Sequence, residues 1–174
     1  MWPTSSVRDG LTGLFNRRYM EATLAREFRK ARRGRGSVGV IMLDVDHFKR
    51  FNDTRGHEAG DRILVELGRL LENSVRAEDV VCRYGGEEFV VILPGISPVQ
   101  AVERAERIRE RVERDLRVEY EGAVLRVTVS LGVALFPLHG EEPVGVLNAA
   151  DEALYRAKQE GRNRTVAALT ASAG

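Results

Sequence analysis

From Asn16 onward the apolar residues Met20, Leu24, Phe28 and Ala31 recur at helical spacing, and the run closes in Arg32-Arg33-Gly34-Arg35-Gly36. The pattern predicts a helix and then a loop. Val38 to Val45 is almost continuously apolar and too short for a solvent-facing helix, so it predicts a central strand buried on both faces. Asp44 and Asp46 close that strand and place carboxylates at its C-terminal end. A short helix over His47 to Asp53 follows, then a longer one from about Glu58 to Val75 with Ile63, Leu64, Leu67, Leu70 and Leu71 on one face.

The period then changes. Val80 to Arg83 and Glu88 to Leu93 read as two short strands joined by Tyr84-Gly85-Gly86-Glu87, and Gly-Gly between such runs signals a hairpin turn. Pro98 to Leu116 carries Val102, Ala105, Ile108, Val112 and Leu116 on one side and mostly Arg and Glu on the other, with Glu103/Arg107 and Glu110/Arg114 spaced to pair along a surface helix. Val118 to Tyr120 and Val124 to Leu135 read as strands around Glu121-Gly122. A last helix runs from about Val144 to Glu160 and stops at Gly161. Arg164 to Ala168 is expected to close the sheet as an edge strand, and Leu169 to Gly174 is expected to fray. This order of elements predicts an α/β sandwich built on a mixed sheet.

Length and composition narrow the class. With 174 residues, 43% of them hydrophobic, the chain suits one domain. Lys plus Arg total 27 against 26 Asp plus Glu, so the net charge of +1 gives no bulk electrostatic case for binding nucleic acid or an anionic membrane. The single cysteine, Cys82, excludes an intramolecular disulfide and a cysteine-rich zinc site, which suits a reducing, cytoplasmic setting. No apolar stretch approaches the ~20 residues of a membrane helix.

Several motifs lead nowhere. Gly34-Arg35-Gly36-Ser37-Val38-Gly39 fits the letters of a dinucleotide site but precedes a strand instead of following one. The basic cluster from Arg29 to Arg35 ends a helix, where cations suit the macrodipole. The informative set is the carboxylates at strand ends, Asp44 and Asp46 on one side and Glu87 and Glu88 beside Gly85-Gly86 on the other. If the two strands are neighbours, Asp44 and one glutamate converge on a site for Mg²⁺ or Mn²⁺. The other reading is a polar turn with solvated acids.

Gly85-Gly86-Glu87-Glu88-Phe89 resembles the signature of the GGDEF family, the diguanylate cyclases, in its common Glu variant. The resemblance runs from about Asp9 to Arg164. Asp9-Gly10-Leu11-Thr12 with Asn16-Arg17-Arg18 is similar to the family's opening segment, and Asp44-Val45-Asp46-His47-Phe48-Lys49 with Asn52-Asp53 to its metal and phosphate loop. Gly56-His57 with Gly60-Asp61 resembles the guanine pocket, and Ala150-Asp151, Leu154-Tyr155, Ala157-Lys158 and Gly161-Arg162-Asn163 resemble the C-terminal helix motif.

The resemblance implies a palm-like α/β domain, a mixed β-sheet flanked by helices as in nucleotidyl cyclases, over residues 9–168. Residues 1–8 would then be the remnant of a linker and 169–174 a tail. It implies condensation of two GTP into cyclic di-GMP and two pyrophosphates across a homodimer, since each domain would hold one GTP. Asp44, the Val45 carbonyl and Glu87 would bind two Mg²⁺ (or Mn²⁺) ions, and Glu87 is also the family's proposed general base. A metal-bound carboxylate is a weak base, so metal activation of the 3′-hydroxyl is the alternative for that step. Asp46 is explained equally well as a ligand-facing residue or as a helix N-cap.

By the same resemblance Lys49, Lys158 and Arg162 contact the triphosphate, with backbone amides of Phe48 to Phe51 cradling its end. Asn52 and Asp61 read guanine, His57 supports near the sugar, and Gly85 and Gly86 allow close approach. Arg76-Ala77-Glu78-Asp79 stands where the family carries its product-inhibition site, with Arg107 as a second contact; a plain ion pair is the other reading of that spacing. A catalytically inactive module that binds GTP or cyclic di-GMP is the rival function, and a palm-type polymerase a distant third. An N-terminal sensory domain outside this chain is expected as a further partner, and no nucleic-acid or membrane contact is.

Overall fold

The computed structural model describes residues 6–170. Of the segments read as linker and tail, residues 1–5 and 171–174 therefore lie outside the described residues. The elements follow in order as α1 (Arg17–Gly34), β1 (Val38–Val45), α2 (Phe48–Arg55), α3 (His57–Glu72), β2 (Val80–Arg83), β3 (Glu88–Pro94), α4 (Pro98–Asp115), β4 (Val118–Tyr120), β5 (Ala123–Leu125), β6 (Val129–Phe136), α5 (Pro143–Gln159) and β7 (Thr165–Ala167). Asn16 caps α1 by accepting from the Tyr19 N–H, and Ser97 with Gln100 forms a capping box on α4.

The main sheet has five strands in the order β2-β3-β1-β6-β7. Only the β6–β7 pair is parallel, so the sheet is mixed as expected. All eight residues of β1 are buried, which is why its sequence shows no polar alternation. Its two faces feed two cores. Ile41, Leu43 and Val45 pack with α3 and α4, whereas Val38, Val40 and Met42 pack with α1 and α5. Asp44 shares the α5 face by the same alternation. Gly132 of β6 lets α5 press close, because a Cβ there would stand 2.1 Å from the Ala150 carbonyl oxygen.

Three expectations need correction. The single strand expected over Val124 to Leu135 is two: β5 pairs with β4 in a separate two-stranded sheet, and β6 begins afresh at Val129 in the main one. Arg126 to Thr128 carry the chain between the sheets. The helix expected to reach Val75 ends at Glu72, capped at Asn73. On α4, neither Glu103/Arg107 nor Glu110/Arg114 is within ion-pair distance. Arg109 instead bonds Glu106 at 2.7 Å and faces Glu113 at 3.7 Å, and Arg114 pairs with its neighbour Asp115.

Candidate active site

The β1–β3 register sets Asp44 directly opposite Glu88. One residue on, the Val45 N–H donates to the Glu87 carbonyl at 3.3 Å. The strands are thus the neighbours that the carboxylate argument required. Between β2 and β3 the turn is closed by the Tyr84 and Gly85 N–H groups, both donating to the Glu88 carbonyl at 2.8 and 3.2 Å. Arg83 laces the turn, its guanidinium donating to the Gly85 and Gly86 carbonyls while pairing with Asp9 at 3.2 Å.

Asp44 is only 3% exposed. Its Oδ2 accepts from the Lys158 ammonium of α5, and its buried Oδ1 has no hydrogen-bond partner among the described residues. Burial pushes the Asp44 carboxyl above its ordinary value, Lys158 opposes that, and the charge of Asp46 adds to it. Burial raises Glu87 too, followed by the charge of Asp44; Glu88 is raised by burial, then by Asp44 and Asp151. Three carboxylates therefore meet with one ammonium between them, and an orphaned buried oxygen is what a hard cation would satisfy. Among the described residues no three acidic, histidine or cysteine side chains form a ready cage.

A cavity of about 580 Å³ opens beside this cluster. Lys49, Asn52, His57, Asp61, Gly86 and Glu87 all line it. Apart from its chain neighbours, nothing among the described residues lies within 4 Å of the place a Cβ on Gly86 would take, so the turn leaves that space open. Asn52 is half-buried, and its Oδ1 is the second buried oxygen without a partner among the described residues. Gly60 makes room for it: a Cβ on Gly60 would stand 1.9 Å from that atom. At the start of α2, His47 is left-handed with φ 56° and gives no side-chain cap. Phe51 already donates to the His47 carbonyl, so the cradle of amides narrows from the expected Phe48 to Phe51 to Phe48, Lys49 and Arg50.

Asp46 does not take the N-cap role expected as one of its two readings. His47 stands at the N-cap of α2, and the Asp46 carboxylate accepts from the Thr128 and Ser130 hydroxyls and from the Asn163 N–H. Val45 is buried, and Gly85 is exposed beside Glu88. Lys158 sits on Asp44, and Arg162 lies just past α5 in a left-handed conformation with φ 64°.

A family model described as diguanylate cyclase, GGDEF domain, matches residues 6–164. The chain belongs to that family. The GGDEF domain is 44% identical over 162 residues to the response regulator PleD of Caulobacter vibrioides, an alignment covering 92% of this chain and 36% of PleD. The chain thus spans about a third of the length of the curated relatives it matches. Among solved structures, the diguanylate cyclase SiaD of Pseudomonas aeruginosa, crystallised with its activator SiaC, superposes with a TM-score of 0.90 at 42% identity, covering 95% of this chain and 63% of SiaD. The GGDEF domain of DgcB from Caulobacter crescentus, crystallised with c-di-GMP, superposes at 0.86 with 34% identity, covering 93% and 95% of the two chains.

On another face of the GGDEF domain, Arg76 and Arg107 line one small cavity of about 280 Å³ together with Arg104. The ion pair allowed by the spacing is present. Asp79 accepts from the Arg76 N–H at 2.8 Å, from its guanidinium at 3.1 Å and from Arg104 at 3.1 Å, and its side chain is 0% exposed. Asp79 therefore holds two guanidinium groups beside the opening, while Arg107 stays exposed. Sequence reasoning missed Arg83 and Arg104, and it placed Gly60 beside the guanine pocket without the reason, the room it leaves for Asn52. Arg104 sits one helical turn from Arg107 and could have been found from that spacing; Arg83 and Asp9 lie 74 residues apart, with no local signal.

Proposed function

We propose that this domain condenses two GTP molecules into cyclic di-GMP and two pyrophosphates, with a divalent cation and across a pair of identical domains. The observation that carries the reading is the buried Asp44 Oδ1, without a partner among the described residues, on the strand end beside Glu87, which itself lines the cavity with Lys49, Asn52 and Asp61. Asp44, the Val45 carbonyl and Glu87 are the residues to hold Mg²⁺ or Mn²⁺, which when bound lowers the pKa of the attacking hydroxyl and offsets charge on the phosphates. Each 3′-hydroxyl forms a bond to the α-phosphorus of the other nucleotide, and the bond to the pyrophosphate oxygen breaks.

The chain's own groups bind and orient. Lys49, Arg162 and the free amides opening α2 meet the triphosphate, and Lys158 exchanges Asp44 for a phosphate oxygen as the nucleotide enters. Asp61 and the Asn52 amide oxygen accept from guanine N1–H and its 2-amino group; adenine offers neither donor. Glu87 stands beside the reacting hydroxyl as the family's proposed general base, with metal activation of that hydroxyl as the alternative route for its proton. One cavity holds one GTP, so two domains must face each other, and the Arg76, Asp79 and Arg107 cluster is the place for product to bind and inhibit.

Purified domain incubated with GTP and Mg²⁺, with the nucleotides separated by chromatography, tests this. Cyclic di-GMP should form at a rate per domain that rises with protein concentration, and Glu87→Gln should abolish it without loss of fold. GTP bound but never converted would favour the inactive binding module instead.

A further inference from the structure

Three consecutive residues after α5, Gly161, Arg162 and Asn163, have positive φ of 124°, 64° and 48°. For Arg and Asn this is sparsely populated backbone, and it persists only where the surroundings over-determine it. Asn163 is gripped on every polar group that its environment reaches. Its N–H donates to Asp46 Oδ2 at 3.0 Å, its amide oxygen accepts from Arg109 at 3.0 Å, and its amide nitrogen donates to Glu113. Asp46 is itself fixed, 6% exposed, accepting from the Thr128 and Ser130 hydroxyls at 2.6 Å each.

We infer that Asp46 is a positioning residue for Arg162: through the Asn163 N–H it ties the left-handed loop to the ends of β1 and β6 and so presets the Arg162 guanidinium for the triphosphate. The inference rests on the GTP reading above. Its logic is local. Asp44 and Asp46 leave the same stretch of chain, Asp44 bonded to Lys158 of α5 and Asp46 to the loop that follows α5, so the Asp46 tie sets the distance between the carboxylate cluster and Arg162. Without it the loop would relax toward ordinary backbone, and Arg162 would spend binding energy on being ordered. The carboxylate accepts three hydrogen bonds here, and an amide can reproduce all three by donating to one rotated hydroxyl and accepting the other two.

The test uses initial-rate kinetics with GTP and calorimetry with a non-hydrolysable GTP analogue, each with Mg²⁺. Asp46→Ala should raise KM and the analogue's Kd roughly tenfold, the scale of a misplaced charge-assisted contact. The kcat should stay within about threefold. Asp46→Asn should restore both constants to within about threefold of the unaltered domain, because the hydrogen bonds and not the charge are what matter. In an Arg162→Ala background, Asp46→Ala should add nothing further, the signature of one residue acting through another. Should Asp46→Ala fail to fold, Thr128→Val with Ser130→Ala loosens the same carboxylate and should raise KM and Kd alone, about threefold. Unchanged constants in Asp46→Ala or in that double variant, an Asp46→Asn variant as weak as Ala, or additive losses with Arg162→Ala would each overturn the inference. A domain that binds the analogue but makes no product overturns the cyclase reading alone, and the Kd series still decides this one.

Discussion

Replacing Gly60 by alanine should separate guanine binding from folding. Gly60 lies inside α3, where alanine is favoured over glycine by about 1 kcal/mol, so the helix itself gains. The added Cβ would stand 1.9 Å from Asn52 Oδ1, 3.0 Å from its Cγ and 3.1 Å from Phe48 Cζ. Carbon and oxygen meet at about 3.3 Å, so the amide has to withdraw by more than about one ångström. That exceeds the tolerance of a hydrogen bond to a base edge. Losing the bond and stranding the buried donor costs about 2 kcal/mol, near thirtyfold in affinity. Steady-state kinetics with GTP and a thermal melt read the two effects apart: KM should rise about thirtyfold while Tm holds or climbs. An unchanged KM in a folded variant would remove Asn52 from the guanine contacts. A collapse of Tm would show that the helix yields and not the side chain.

Arg76→Ala should weaken cyclic di-GMP binding by more than about tenfold in calorimetry, because the guanidinium held by Asp79 is withdrawn from the cavity; equal affinity would reduce the cluster to an ion pair. Cys82 is fully buried and its thiol is pushed up to about 12, chiefly by desolvation, so a thiol reagent should find no reactive group in the native domain and one in denaturant. Burial raises the Asp9 carboxyl, but the Thr12 N–H and hydroxyl and the Arg83 guanidinium together hold it below its ordinary value. Its stabilisation is therefore present above the unfolded value and lost as pH falls through the folded one. The Tm gap between the unaltered domain and Asp9→Asn should close from about pH 5 toward pH 3, and a gap independent of pH would refute the pairing.

What could be read from the sequence was whatever a periodic pattern or a short spacing encodes. The unbroken apolar run of β1 exists because both faces of that strand are buried, and the same burial makes Asp44 conspicuous within it. The Gly-Gly turn brings Glu87 back to the end of β1 because the hairpin pairs antiparallel with its neighbour. The cavity residues from Lys49 to Asp61 come from two successive helices, so spacing along the chain becomes adjacency in space. The run from Val124 to Leu135 misled for the opposite reason. Its apolar residues serve two sheets, and nothing in their period marks where the chain leaves one and enters the other.

Asp46 shows the limit most sharply. Alternation by two along a strand puts residues 44 and 46 on one face, which is why a second ligand at 46 was a fair expectation. The strand, however, ends at Val45, and His47 turns left-handed. The Asp46 N–H still donates to the Thr128 carbonyl, and its carboxylate is taken up on the face it shares with Asp44, by Ser130, the residue paired with Asp44 on β6, and by a loop 117 residues away. Arg83 and Asp9 repeat the point, since a guanidinium that braces the signature turn is held by a carboxylate from the other end of the domain's first half. The first ring of acids around a site can be found from strand ends and turns. The residues that hold this ring in place depend on which distant segments the fold brings together, and only the packed structure specifies them.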